Sequence, residues 1–122
     1  KHKMRATFMA KPYTQEAGNG LHVHFSILDN NNENIFNNFT NKGSECLLNA
    51  VSGCLNFMKD STLIFAPNHN SYDRFSTGAH APTAINWGYE NRTTAIRIPG
   101  GPDIAKRIEH SLLRTALERS IA

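Results

Sequence analysis

The sequence predicts a mixed α/β fold of the α+β type, and three stretches carry that expectation. Residues 21–28 alternate, with Leu21, Val23, Phe25 and Ile27 set against His22, His24 and Ser26, the period-two pattern of a strand with one packed face. Residues 44–58 place Leu47, Leu48, Val51, Cys54, Leu55 and Met58 at helical spacing behind Ser44, a residue suited to an N-cap. Residues 92–98 form a β-branched run that stops at the Pro99-Gly100-Gly101-Pro102 breaker.

The elements follow in chain order. Lys3 to Lys11 alternates, with Met4, Ala6, Phe8 and Ala10 on one side, and reads as a first strand. Tyr13 to Asn19 reads as a loop, and Gly18 and Gly20 permit a turn that other residues resist ahead of the strand from Leu21 to Leu28. The Asn-rich stretch from Asp29 to Asn41 reads as an exposed, mobile connection, because asparagine favours turns and adds little to a core. The helix behind Ser44 follows, with Lys59 near its negative end. Ala66-Pro67-Asn68 opens a segment that runs past Arg74 to a loop at Gly78 to Pro82, after which Ala84 to Trp87 and Arg92 to Ile98 read as strands. In the tail, Ile104, Ile108, Leu112 and Ala116 fit one stripe of a helix starting near Asp103.

Composition bounds the function. With 122 residues, a net charge of +3 and 39% hydrophobic content, the chain is one domain or less. It has no long Lys/Arg run and no aromatic-basic interleaving, so nucleic acid is not an expected partner. No apolar stretch is long enough to span a bilayer and no signal-peptide pattern opens the chain, so no membrane role is expected. Cys46 and Cys54 would lie two turns apart on the helix, too far to bridge within it, and read as reduced core cysteines of a cytoplasmic protein.

Two stretches carry chemistry. The first runs a glycine turn into a strand whose polar members include two imidazoles, and the second sets Arg92 and Arg97 in a β-branched run suited to gripping anions. A metal ligand beside phosphate clamps suggests nucleotide-dependent chemistry. Five apart in a regular strand, Arg92 and Arg97 would face opposite ways, so either a bulge intervenes or Arg92 sits at the strand's entry.

Together with Phe8-Met9-Ala10-Lys11-Pro12, Asn70-Ser71-Tyr72-Asp73-Arg74 and Arg107-Ile108-Glu109, these stretches resemble the catalytic domain of glutamine synthetase, and more closely its γ-glutamylpolyamine synthetase branch. Five motifs agree in order and approximate spacing, through about His110. The resemblance implies that residues 1–122 are the central part of such a domain, an antiparallel sheet with backing helices. A β-grasp domain and most of the metal-binding glutamates would lie upstream of Lys1. It also makes Arg107-Ile108-Glu109 a strand, against the helical stripe of the tail.

The chemistry follows from the same resemblance. In this family two divalent cations, Mg2+ or Mn2+, neutralise ATP phosphates while the γ-phosphoryl group passes to the side-chain carboxylate of glutamate, and an amine attacks the acyl phosphate. By match to the motifs, His22 and Glu109 would bind one metal, and His24 and Ser26 would lie against the nucleotide. Gly18, Gly20 and Arg74 would bind glutamate, while Arg92 and Arg97 would stabilise phosphate and transition-state charge. On residue type alone His24 reads equally well as structural, and exposed arginines as merely solvated. The parent enzyme would be a ring-shaped, cytoplasmic homo-oligomer.

Three departures bear on the substrate and the tail. Ammonia-using members carry a flap glutamate where this chain has His80, and an asparagine before the first glycine where it has Ala17. A charged imidazole would repel ammonium, so both changes point to an organic amine or polyamine acceptor. Residues 111–122 depart from the family pattern, which puts the next anion-binding arginine in doubt, and Arg114 is not assumed to replace it. The expected activity is that of an ATP-dependent glutamate–amine ligase. The alternatives are ordinary ammonia-using glutamine synthetase and a truncated, non-catalytic interaction module.

Overall fold

A computed structural model describes residues 2–75 and 84–111. His80 and Arg114, and the part of the tail stripe beyond Ser111, lie outside that range. Strand β1 is Val23–Phe25, followed by helix α1 (Glu45–Asn56) and the single-turn helices α2 (Thr62–Phe65) and α3 (His69–Tyr72). Strands β2 (Trp87–Tyr89), β3 (Ile96–Ile98) and β4 (Ile108–His110) complete a four-stranded sheet in the order β1-β4-β3-β2. Two short 3-10 turns, at Asp73–Phe75 and Asp103–Ala105, connect these elements.

Helix α1 forms where the sequence places it. Gly43, at φ +77°, turns the chain into Ser44, whose hydroxyl accepts the Leu47 amide at 3.2 Å and donates to the Ile35 carbonyl at 2.6 Å. Leu47 and Val51 are buried against β3 and β4, and Ala50, Cys54 and Leu55 flank them. Leu48, expected in the same stripe, is 39% exposed and lies outside the core. Ile96, Ile98 and Ile108 supply the sheet's side of the core, with Met58 and Phe36 closing it. Cys46 and Cys54 are free thiols, but only Cys54 packs against the core as expected; Cys46, next to Leu47 on the helix, faces outward and is exposed.

The sheet differs from a purely antiparallel one. β1 and β3 run antiparallel to β4, but β2 pairs with β3 in parallel, Trp87 opposite Ile96. Only residues 90–95 connect that parallel pair, so the chain doubles back within a tight return. It is held by Ile96 N donating to Asn86 O at 3.1 Å and Ala95 N donating to the Asn86 side-chain oxygen at 3.2 Å. This return displaces both expected strands: β2 starts at Trp87 rather than ending there, and β3 starts at Ile96 rather than Arg92.

Four further expectations change. Residues 3–11 form no strand, and Met4 and Phe8 are exposed, because no neighbouring strand among the described residues satisfies their backbone. The strand expected over Leu21 to Leu28 shrinks to Val23–Phe25, the length over which β4 pairs with it. The Asn-rich connection is organised: Asp29 caps the Asn31 and Glu33 amides at 2.8 Å, and Asn34 donates to the Lys106 carbonyl at 2.7 Å. Its Phe36 is fully buried in an edge-on contact with Phe25. In the tail, Ile108 belongs to a strand rather than a helix, as the resemblance implied, because alternation in 107–110 buries Ile108 on the core face and leaves Glu109 for the other.

Candidate functional site

Register builds the site before any side chain is considered. His24 pairs with Glu109, Glu109 with Arg97, and Arg97 with Gly88, so these four positions form one row across the sheet. The neighbouring row, Val23, His110, Ile96 and Trp87, sends Ile96 into the core. The His24-Glu109-Arg97 row therefore lies on the face away from α1. His22, two residues before His24, shares that face.

Glu109 is the hub. Its Oε1 lies 2.6 Å from Nδ1 of His22 and 3.8 Å from Nε2 of His24, and its Oε2 accepts Nε of Arg97 at 2.5 Å and a second guanidinium nitrogen. Only about 6% of Glu109 is exposed, and a buried carboxylate this close to a guanidinium is held by paired, charge-assisted bonds. Burial works to raise its pKa, but the bonds from His22 and Arg97 outweigh burial and hold the carboxyl below the usual carboxylate range.

The second group forms around Arg74. Its guanidinium lies so close to the glycine loop that a Cβ on Gly20 would fall 2.6 Å from Nη2, and one on Gly18 would fall 2.9 Å from Arg74 Cγ. The loop and Arg74 are joined further back by Asn70, whose side chain accepts the Lys11 amide at 2.8 Å and donates to the Lys11 carbonyl at 3.0 Å. Asn19 adds two bonds to the same arm, from its amide to Ala10 O at 2.8 Å and from its side chain to Met9 O at 2.7 Å. Burial lowers the Arg74 pKa, while a guanidinium remains a cation.

The structure thus gathers His22, His24, Arg97 and Glu109 in one cluster, and Gly18, Gly20 and Arg74 in another. Arg92 occupies the exposed return ahead of β3, the strand-entry alternative rather than the bulge, and Ser26 is exposed past β1. Neither bonds to the two clusters among the described residues. Two residues that sequence reasoning left without a role join the cluster through its histidines: Arg107 donates to Nδ1 of His24 at 3.4 Å, and the Ser111 hydroxyl lies 3.1 Å from Nδ1 of His22. Counting two residues either way from Glu109 along a strand would have found both.

One imidazole and one carboxylate are suitable donors for Mg2+ or Mn2+. Among the described residues, no three His, Cys, Asp or Glu side chains converge as a closed cation site requires. His22 and Glu109 therefore fit part of such a site. No helix among the described residues is long and apolar enough to cross a membrane.

Comparison with known proteins gives the family and the fold. A family model described as glutamine synthetase, catalytic domain, matches residues 1–116. The chain is 44% identical over 110 residues to gamma-glutamylputrescine synthetase PuuA of Escherichia coli (strain K12), covering 90% of this chain and 23% of that protein. It is 42% identical over 113 residues to a glutamine synthetase of Pyrococcus abyssi, covering 89% and 24%. The cryo-EM structure of Plasmodium falciparum glutamine synthetase superimposes with a TM-score of 0.79 at 28% identity, over 87% of this chain and 21% of that one. The chain spans about a quarter of the length of the curated relatives it matches.

Proposed function

This chain belongs to the glutamine synthetase catalytic-domain family, and from that premise we propose that it forms the central part of an ATP-dependent glutamate–amine ligase. The observation that carries the reading is the row His24-Glu109-Arg97 with His22 beside it, one sheet face combining cation donors with an anion-binding guanidinium. When bound, a divalent cation held in part by His22 and Glu109 would neutralise phosphate charge on ATP.

The chain's own residues supply the rest. Arg97, fixed by Glu109, keeps guanidinium hydrogens for phosphoryl oxygens, and Arg92, on the return ahead of β3, adds positive charge from the exposed side. Gly18 and Gly20 let backbone and the Arg74 guanidinium approach one another, so that Arg74 can hold a glutamate carboxylate against the loop. His24 and Ser26 lie toward the nucleotide. The acyl phosphate of glutamate is then open to attack by an amine, and the full enzyme is a ring-shaped cytoplasmic homo-oligomer.

The acceptor is an organic amine, in our reading a polyamine. His80 and Ala17 carry that assignment, because an ammonia enzyme needs a carboxylate to hold ammonium and take its proton, whereas an alkyl amine gains affinity from apolar contacts. Similarity to a relative named for putrescine supports it. The test is kcat/KM for putrescine against ammonium in the full-length enzyme, with and without His80→Glu. Putrescine is expected to win in the unmodified enzyme, and His80→Glu to shift preference toward ammonium. If ammonium wins, the acceptor assignment falls while glutamate activation stands.

A further inference from the structure

The glycine loop is held by hydrogen bonds rather than by burial. Residues 13–20 are exposed, and the ties within the loop run from Lys11 Nζ to Glu16 O, from the Asn19 amide to Ala10 O and from the Asn19 side chain to Met9 O. These bonds give the loop its shape but do not fix its distance from Arg74, which another part of the chain carries. Asn70 supplies that tie. Its side-chain oxygen accepts the Lys11 amide at 2.8 Å and its nitrogen donates to the Lys11 carbonyl at 3.0 Å, so one side-chain amide pairs with both backbone groups of a residue 59 positions away. The same nitrogen also donates to the Asp73 carboxylate at 3.0 Å, next to Arg74. Asn70 and Arg74 stand four residues apart across the junction of α3 with its 3-10 turn, and both meet the loop: Asn70 at Lys11, Arg74 against Gly18 and Gly20.

We propose that Asn70 is a positioning residue for the amino-acid substrate, setting the gap between the glycine loop and the Arg74 guanidinium at which the glutamate carboxylate binds. Arg74 reaches that carboxylate through a long side chain with several rotors, so its hydrogens are aimed only while the backbone on both sides of the gap is fixed. Asparagine suits the task because its side chain offers a donor and an acceptor in the arrangement of a peptide group, whereas a carboxylate only accepts. The inference rests on the proposed role of Arg74, and the two fail separately.

The test is steady-state kinetics of the full-length enzyme carrying Asn70→Ala, Arg74→Ala or both, with glutamate and ATP each varied. Asn70→Ala should raise KM for glutamate about tenfold, while kcat and KM for ATP stay within about twofold. A merely structural asparagine would lower the folded fraction and with it kcat, leaving both KM values unchanged, and that result overturns the inference. In the Arg74→Ala background, Asn70→Ala should add less than about twofold to KM for glutamate; a full further increase would show that Asn70 does not act through Arg74. If Arg74→Ala leaves KM for glutamate unchanged, the role of Arg74 falls and the inference with it. A KM raised by Arg74→Ala but not by Asn70→Ala removes Asn70 alone. Asn70→Asp is isosteric and still accepts the Lys11 amide, but it cannot donate to the Lys11 carbonyl. It should raise KM for glutamate about fivefold at unchanged kcat, and an unchanged KM in this variant overturns the inference should Asn70→Ala not fold.

Discussion

Alanine at Gly18 and alanine at Gly20 should have opposite consequences, although the sites are two residues apart. At Gly18 the new methyl would sit 2.4 Å from the Ala10 carbonyl oxygen, about 1 Å inside ordinary contact, and that oxygen is backbone already bonded to the Asn19 amide. Overpacking against backbone costs about 1–3 kcal/mol, partly offset by the ~0.4–1 kcal/mol gained from a stiffer unfolded chain, for a net loss of about 1–2 kcal/mol. At roughly 4 °C per kcal/mol for a chain of this size, Gly18→Ala should melt about 4–8 °C lower. At Gly20 the methyl meets the Arg74 guanidinium, Nη2 at 2.6 Å and Cζ at 3.4 Å, the far end of a flexible side chain that can swing aside. Gly20→Ala should therefore melt within about 2 °C of the unmodified chain or slightly above it. The displaced guanidinium is the one proposed to hold glutamate, so KM for glutamate in the full-length enzyme should rise about tenfold, equivalent to ~1.4 kcal/mol. Calorimetric melting of both variants and steady-state kinetics of Gly20→Ala are the assays. A Gly20→Ala chain less stable than Gly18→Ala would refute the packing argument, and an unchanged KM would refute the role of Arg74.

Three other outcomes are expected. Ser44→Ala loses both the cap on Leu47 and the bond to Ile35, about 2 kcal/mol together; Ser44→Asp, which can cap but cannot donate, should lose stability through the Ile35 side alone, and equal effects in thermal melts would contradict the split. Burial pushes the His110 pKa below its usual 6.5, and the ring stacks on Phe65 at 4.8 Å. The unfolded chain then takes up the proton first, so this contribution is complete above pH 6.5 and is lost as pH falls through the folded value, and His110→Phe should flatten the melting temperature between pH 7 and 5. The isolated 122-residue chain should not ligate, since the described residues supply only part of a cation site. Phosphate release that needs ATP, glutamate and amine, above a heat-treated control, would show otherwise.

Legibility followed how local each signal is. Helix α1 was readable because its cap and its buried stripe lie within a dozen residues of one another. The bounds of the strands were not, because three residues of β structure are defined by partners elsewhere in the chain: 3–11 alternates as well as β1 does but has nothing to pair with among the described residues, and the return after Tyr89 shifts β2 to Trp87 and beyond and confines β3 to the last three residues of the β-branched run. Asparagine count misled for 29–41, where Asn34 and Asp29 serve as fixed ties and Phe36 enters the core. For the site, order and spacing of motifs pointed to His22 and Glu109, 87 residues apart, which no periodicity could have joined. Ser111 and Arg107 needed only alternation around Glu109, yet the competing helical stripe of the tail obscured it.

That separation governs when the site can exist during folding. The parallel pair Trp87 and Ile96 closes a loop of nine residues, and Ile96 with His110 closes one of fourteen, so β2, β3 and β4 can assemble from neighbouring chain. Joining β1 to β4 closes 87 residues, from Val23 to His110, at an entropic cost about 2 kcal/mol above the nine-residue closure. Early contacts therefore bring Arg97 to Glu109 and leave the carboxylate waiting for its imidazole. His22 arrives with the last strand to join, so the cation pair is present only in molecules whose folding has run to completion.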